Sequence, residues 1–306
     1  MKPAFSVIFF TVMSGAGLGL MVWLLVATMM SAHIRMPNVT FINGVIIAAA
    51  FIVVGLCSST LHLANRKNVI YSLTQFRTSW LSREGVFALA LFPIAGLYLW
   101  LRSAAAPTVV VHGLALVLIA LAIIILFCTG MIYGCLKTIP RWNSWLTPTK
   151  YVLFGLMSGA LLFVAILSTR STEIGPLGRP WVAIVLLAAG LLVYLGYLLK
   201  HPRKQHTIND ALGLKQGQVR LLDVGHTHGT FLTNEFGFQL AREKARLLRW
   251  LSIALGFVLP LVLLFFSNTP PFAPVVACLI GLFVERWLFF AEAEHVVRLY
   301  HGQQHV

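Results

Sequence analysis

Residues 58–85 read SSTLHLANRKNVIYSLTQFRTSWLSREG, and the change of character along them decides the fold. An apolar run that starts at Val45 ends at Leu63, with His62 at its edge. Asn65, Arg66 and Lys67 follow at once, then a polar, aromatic-bearing connection, then Arg83 and Glu84, and from Gly85 a second apolar run. Two long apolar segments joined by a short cationic connection are the pattern of a chain that leaves a bilayer and returns to it.

The pattern recurs in both directions. Eight runs are long enough to cross the hydrocarbon core, which needs about 17–25 helical residues. They are residues 7–30, 45–63, 85–101, 109–133, 151–167, 181–199, 250–266 and 272–290. The 306 residues are 58% hydrophobic and only 10% charged, with a mean hydropathy of +0.85. A soluble domain carries about 25% charge, and eight buried helices would leave this chain too little polar surface to cover them. The predicted fold is all-α: a polytopic membrane protein, one eight-transmembrane-helix bundle over residues 1–306. The first run is not read as a cleavable signal, because only Lys2 precedes it and it is too long for a signal core. Most connections are short; the exception is the basic connection 200–249, whose end from Glu235 onward reads as an amphipathic surface helix.

The formal charge is +14, from 23 basic and 9 acidic side chains. These bases lie between spans, so orientation and docking are the readings rather than nucleic acid. Eight spans put both termini on one face of the membrane, together with the connections 64–84, 134–150 and 200–249. That face receives 19 of the lysines and arginines, and the other receives four: Arg35, Arg102, Arg170 and Arg179. The positive-inside rule puts the termini in the cytoplasm.

The same count brings chemistry to one face. His62 closes the second span, Arg83 and Glu84 open the third, Tyr133 closes the fourth, and Trp142 and Trp145 lie before the fifth. A quinone needs a flat slot near the interface, donors for two carbonyl oxygens, and groups that exchange protons with water. Trp142 or Trp145 can wall a ring, and His62 can donate and relay. Asn65 adds a side-chain donor, Arg66 or Arg83 can hold an anionic oxygen, and Glu84 can move a proton. Plainer readings stand beside these. The indoles also fit an interfacial aromatic belt, the cations fit orientation charges, and His62 also fits a cap on its helix's free carbonyls.

Three further features bear on function. Gly15-x-x-x-Gly19 in the first span reads as a close helix-packing face, with room for a quinone ring as the minority reading. Glu285 and Arg286 lie about 20 Å into the eighth span at 1.5 Å per residue, where charges face a bundle interior. Glu285, Glu292 and His295 fit a proton path towards the termini; an ion pair from Glu285 to Arg249 or another helix fits equally. The cysteines, Cys57, Cys128, Cys135 and Cys278, form no CxxC, which excludes an iron–sulfur cluster or a structural zinc by local spacing. No two inward histidines match in depth, so no haem is expected, and His226-x-His228 lacks further convergent ligands for a metal.

Four stretches carry a resemblance: SVIFFT at 6–11, STLHL at 59–63, SRE at 82–84 and TIPRWNSWLTP at 138–148. Over most of its length the chain resembles the membrane-anchor subunits of dimethyl sulfoxide reductases, the eight-helix anchors of complex iron–sulfur molybdoenzymes. Within that family it is similar to the anchors of cytoplasmic membrane-bound sulfite dehydrogenases. The resemblance implies a quinone site (ubiquinone or menaquinone) with His62 and Glu84 in it. It also implies a partner subunit with four [4Fe–4S] clusters, and a catalytic subunit with a molybdenum–pterin cofactor on the cytoplasmic face of a bacterial inner membrane. It implies that electrons pass between those clusters and quinone, with sulfite as donor. The alternatives are a reductase anchor that oxidises menaquinol and a stand-alone transporter or proton-translocating protein with Glu285 and Arg286 on its pathway.

Overall fold

A computed structural model describes residues 3–30, 36–60, 71, 73–169, 180–200, 207–214, 217, 219, 240–266, 269–293, 295, 296 and 299. Every regular element among them is helical. The elements are α1 (Phe5–Met29), α2 (Asn38–Thr60), α3 (Trp80–Ser103), α4 (Thr108–Gly134), α5 (Leu146–Ser168) and α6 (Trp181–Lys200). The short α7 (Ile208–Leu212) is followed by α8 (Leu240–Ile253), a π-helical turn (Ala254–Val258), α9 (Leu259–Leu263) and α10 (Ala273–Ala291). Eight of these stretches are long and apolar enough to cross a membrane, with Lys244–Leu263 as the seventh and α10 as the eighth. The chain is a multi-pass membrane protein.

These segments form helices because a bilayer offers no partners for backbone N–H and C=O groups, and an α-helix satisfies its own. With apolar residues all round, each helix's neighbours are chosen by shape. The core pair is α1 and α5, which pack on each other, with α2, α4 and α10 against α1 and with α4, α6 and α10 against α5. A Cβ on Gly19 would lie 1.9 Å from the Gly155 oxygen, and one on Gly159 would lie 2.1 Å from the Gly19 carbonyl carbon. The Gly15–Gly19 face therefore meets a second small-residue face, Gly155-x-x-x-Gly159, backbone to backbone. That contact excludes the minority reading: the cavity left beside Gly15 is about 10 Å3, room for no more than about one water. We expect Gly159→Ala to lower stability by about 1–3 kcal/mol through overpacking. Thermal melting in one detergent checks this, with Gly196→Ala as control, since a Cβ at Gly196 meets nothing within 4 Å. Equal melting of the two variants would contradict the tight crossing.

A second crossing is as close. A Cβ on Gly281 of α10 would lie 2.1 Å from the Gly256 nitrogen, inside the π-helical turn. The helical backbone is continuous from Leu240 to Leu263, so the basic segment before Trp250 runs without a break into the seventh apolar stretch, which begins at Lys244. The other corrections are to boundaries. α2 starts at Asn38 rather than Val45, because Thr40, Phe41 and Gly44 are buried despite the polar neighbours that depress local hydropathy. α3 starts at Trp80, capped by the Ser79 hydroxyl, which accepts from Ser82 N–H at 3.4 Å. Arg83 and Glu84 therefore belong to its first turns.

One end of the bundle gathers the termini. Ser58 Oγ donates to the Ser6 carbonyl at 2.9 Å, which sets the end of α2 beside the start of α1. Val296 N–H donates to the Thr138 carbonyl at 3.1 Å, which ties the tail to the α4–α5 connection.

Candidate functional site

His62, Asn65 and Arg66 lie outside the described residues. The remaining predicted residues fall into two groups at the termini end, joined by α4.

The first group is at the entrance to α3. Glu84 is buried and accepts a hydrogen bond from Thr129 of α4. Thr129 Oγ1 also lies 3.0 Å from the Ile125 carbonyl. One hydroxyl hydrogen cannot serve both acceptors. The Thr129 hydrogen therefore goes to one of the two acceptors at a time. No cation forms an ion pair with Glu84 among the described residues. Its neighbour Arg83 turns the other way: Nε donates to the Phe76 carbonyl at 2.9 Å and Nη2 to the Arg77 carbonyl at 2.7 Å. Its guanidinium lies 4.3 Å over the Trp80 ring. Trp80 meets Phe127 edge-on at 5.9 Å, and Phe127 stacks with Trp145 at 6.3 Å. Arg83 thus fastens the connection before α3, and an aromatic row runs from Trp80 to Trp145 beside the carboxyl's helix.

The second group lies one turn along α4. Tyr133 follows Thr129 by four residues and so shares its helix face. It meets Trp142 at 5.3 Å, Tyr151 at 5.7 Å and Phe290 at 5.2 Å. Trp142 is 2% exposed, stacks on Phe289 at 5.1 Å, and donates Nε1–H to the Phe289 carbonyl at 2.9 Å. Trp145, three residues on, is 72% exposed. The two indoles proposed as slot walls therefore have different roles. Trp142 is packed with its donor used, while Trp145 presents a free face.

Under this aromatic layer sit the buried charges. Lys150 Nζ is 2.6 Å from Glu285 Oε1, and Glu285 Oε2 is 3.3 Å from Arg286 Nη1; the lysine and carboxylate side chains are 0% and 1% exposed. Lys150 Nζ lies 3.7 Å from the centre of the Tyr197 ring, and Arg286 lies 3.6 Å over Tyr151. About two turns nearer the tail, Glu292 is held by Arg141 at 2.6 Å and by Arg249 at 2.5 Å. The ion pair foreseen for Glu285 thus comes from Lys150, and Arg249 goes to Glu292. His295 is half-buried just beyond, and loss of solvation there lowers its basicity below the ordinary imidazole value. Two carboxylates hold four cations, and with Trp142 and Val296 they strap the α4–α5 connection onto α10. No group of three metal-ligating side chains occurs among the described residues.

Sequence reasoning missed Thr129, Trp80 and the burial of Lys150. Thr129 lies inside an apolar run with no signal of its own. Trp80 could have been found by starting the third span at the Ser79 cap. Lys150 reads as an interfacial charge until Pro148 is recognised as a first-turn proline, which puts the lysine inside α5.

Known proteins align over this framework. The C subunit of sulfite dehydrogenase from Allochromatium vinosum is 30% identical, covering 98% of this chain and 99% of that protein. The C subunit of anaerobic dimethyl sulfoxide reductase from Haemophilus influenzae is 25% identical, covering 67% of this chain and 72% of that protein. The family of DMSO reductase anchor subunits (DmsC) matches residues 1–291. With eight apolar helices, a packed small-residue core and a match through the end of α10, the chain belongs to the DMSO reductase anchor subunit family.

Proposed function

We propose that this chain is the haem-free membrane anchor and quinone-binding subunit of a molybdenum/iron–sulfur oxidoreductase. Electrons pass between a partner's [4Fe–4S] clusters and membrane quinone, ubiquinone or menaquinone. Sulfite oxidation coupled to quinone reduction is the favoured direction, supported by the similarity to the C subunit of a sulfite dehydrogenase along almost all of both chains. The observation that carries the quinone reading is Glu84 with Thr129: a buried carboxyl without a cation partner among the described residues, beside an aromatic row that ends in an exposed indole. Buried carboxyls lacking such compensation are costly to keep, and a proton-handling role accounts for one at the membrane boundary.

A bound quinone supplies two-electron, two-proton chemistry at such a place. The chain's own residues bind and exchange protons. His62, two residues beyond Thr60 in the sequence, donates to a carbonyl oxygen and relays a proton to the cytoplasm. Glu84 holds a proton against Thr129 and passes it on. Arg66, Asn65 and the unused Nη1 of Arg83 favour negative charge on an oxygen, and Trp145 supplies a flat wall. Glu285, Glu292 and His295 would then continue as a proton path along α10. The cation pairing of both carboxylates favours a structural role for them, and it weakens a transporter reading that needs Glu285 free. The catalytic molybdenum subunit and the four-cluster subunit would dock on the cytoplasmic face, where both termini also lie. A menaquinol-oxidising reductase anchor is the second reading, favoured by the similarity to the C subunit of a dimethyl sulfoxide reductase.

Purification from native membranes tests the proposal. We expect a stoichiometric brown partner containing iron and molybdenum, no haem bands in the visible spectrum, and sulfite-dependent quinone reduction. A colourless protein that purifies alone, or one with a b-type haem spectrum, contradicts it; dimethyl sulfoxide turnover without sulfite turnover selects the second reading.

A further inference from the structure

At the end of the bundle opposite the termini, α2 and α3 enclose a groove of about 480 Å3 lined by Asn38, Phe41, Ile42, Leu99, Arg102 and Ser103. That volume lies in the range of small-ligand sites, about 300–1,000 Å3. The lining is divided. Phe41, Ile42 and Leu99 make an apolar floor, while Asn38, Arg102 and Ser103 make a polar mouth. The Arg102 guanidinium lies 4.3 Å over the Phe41 ring, and its Nη2 donates to Asn38 Oδ1 at 3.3 Å. No carboxylate pairs with Arg102 among the described residues. The four connections at this end carry one carboxylate in all, Glu173.

Among the described residues the cation therefore lacks an anion of the chain's own, although a guanidinium presents a planar fork of donors that matches phosphate. Its surroundings say from where an anion arrives. Ile42, Ile46, Leu97 and Trp100 are exposed apolar side chains on the same two helices, so the groove opens towards lipid, and Trp100 marks the interfacial level. An occupant must combine an anionic head with an apolar tail.

We propose that this groove binds one anionic phospholipid of the leaflet opposite the termini. Its phosphodiester rests on Arg102 between Asn38 and Ser103, and one acyl chain lies along Phe41, Ile42 and Leu99. The site is about a membrane's thickness from Glu84 and does not depend on the quinone reading. It accounts for a cation on the face that the positive-inside bias otherwise depletes, because the charge is met by the bilayer itself.

The test uses the protein purified from membranes with its associated subunits, delipidated in neutral detergent, then titrated with phosphatidylglycerol or phosphatidylcholine of identical chains. Native mass spectrometry counts bound lipid. The parent should retain one phosphatidylglycerol at this site and prefer it to phosphatidylcholine. Arg102→Gln should lower that affinity about tenfold, as expected for loss of one charge-assisted contact, and Arg102→Lys should keep most of it. Ile42→Trp, which fills the groove and leaves the cation, should lower it as well. Equal binding of both lipids by the parent overturns the proposal even where a variant fails to fold. So does unchanged binding in Arg102→Gln and Ile42→Trp, or retention of inorganic phosphate or quinone in place of lipid.

Discussion

Replacing Glu285 with glutamine is expected to cost about 3–5 kcal/mol of stability, the usual penalty for leaving buried charge uncompensated, and to cost more than replacing Lys150 with methionine. The asymmetry follows from the geometry. Glu285 faces two cations, Lys150 Nζ at 2.6 Å and Arg286 Nη1 at 3.3 Å. Losing the carboxylate leaves both in a low-dielectric interior, with the Tyr151, Phe154, Tyr194, Tyr197 and Phe289 rings as the nearby help among the described residues. Losing Lys150 leaves the carboxylate its arginine. The double change Lys150→Met with Glu285→Gln should recover part of the loss, since it removes the pair together. Thermal or denaturant unfolding in one detergent orders the three variants. If Glu285→Gln matches the parent, or is milder than Lys150→Met, the cluster is not a structural clamp and the proton-path reading gains.

The second large effect is on activity. His62→Ala and Glu84→Gln should each slow quinone-coupled turnover about a hundredfold or more, the scale of a lost proton-transfer group. Activity with an artificial dye that takes electrons from the partner subunits should be unchanged. Glutamine at 84 isolates the proton. Its amide oxygen can accept from Thr129 as the carboxyl oxygen does, so packing and hydrogen bonding persist while exchange stops. Parent-like quinone turnover in Glu84→Gln removes that carboxyl from the route, and parent-like turnover in His62→Ala removes the imidazole. Loss of dye activity in either variant would instead point to failed assembly.

Much of this architecture was legible residue by residue. The hydropathy of eight runs gave eight spans, because lipid forces any long apolar segment into a self-satisfied helix. Gly15 and Gly19 announced a close crossing, because only a missing Cβ lets backbones touch. Glu84 stood out as a carboxyl at a span entrance. Its partner did not, since a threonine inside the apolar run from Thr108 to Gly134 carries no mark of what it faces. The two indoles of TIPRWNSWLTP were equivalent on paper, and the turn that leads into α5 separated them into a packed Trp142 and a presented Trp145.

The chain's composition and periodicity determined that it crosses the membrane eight times, and where its cations accumulate. These are properties of each segment against water and lipid, and they need no partner. Which carboxylate meets which cation was decided only in three dimensions. Glu285 is 135 residues from Lys150, and among equally apolar helices nothing in one strip of sequence encodes the neighbour. Packing on their shared neighbour α1 brings α5 and α10 together, and only then do the buried charges find each other.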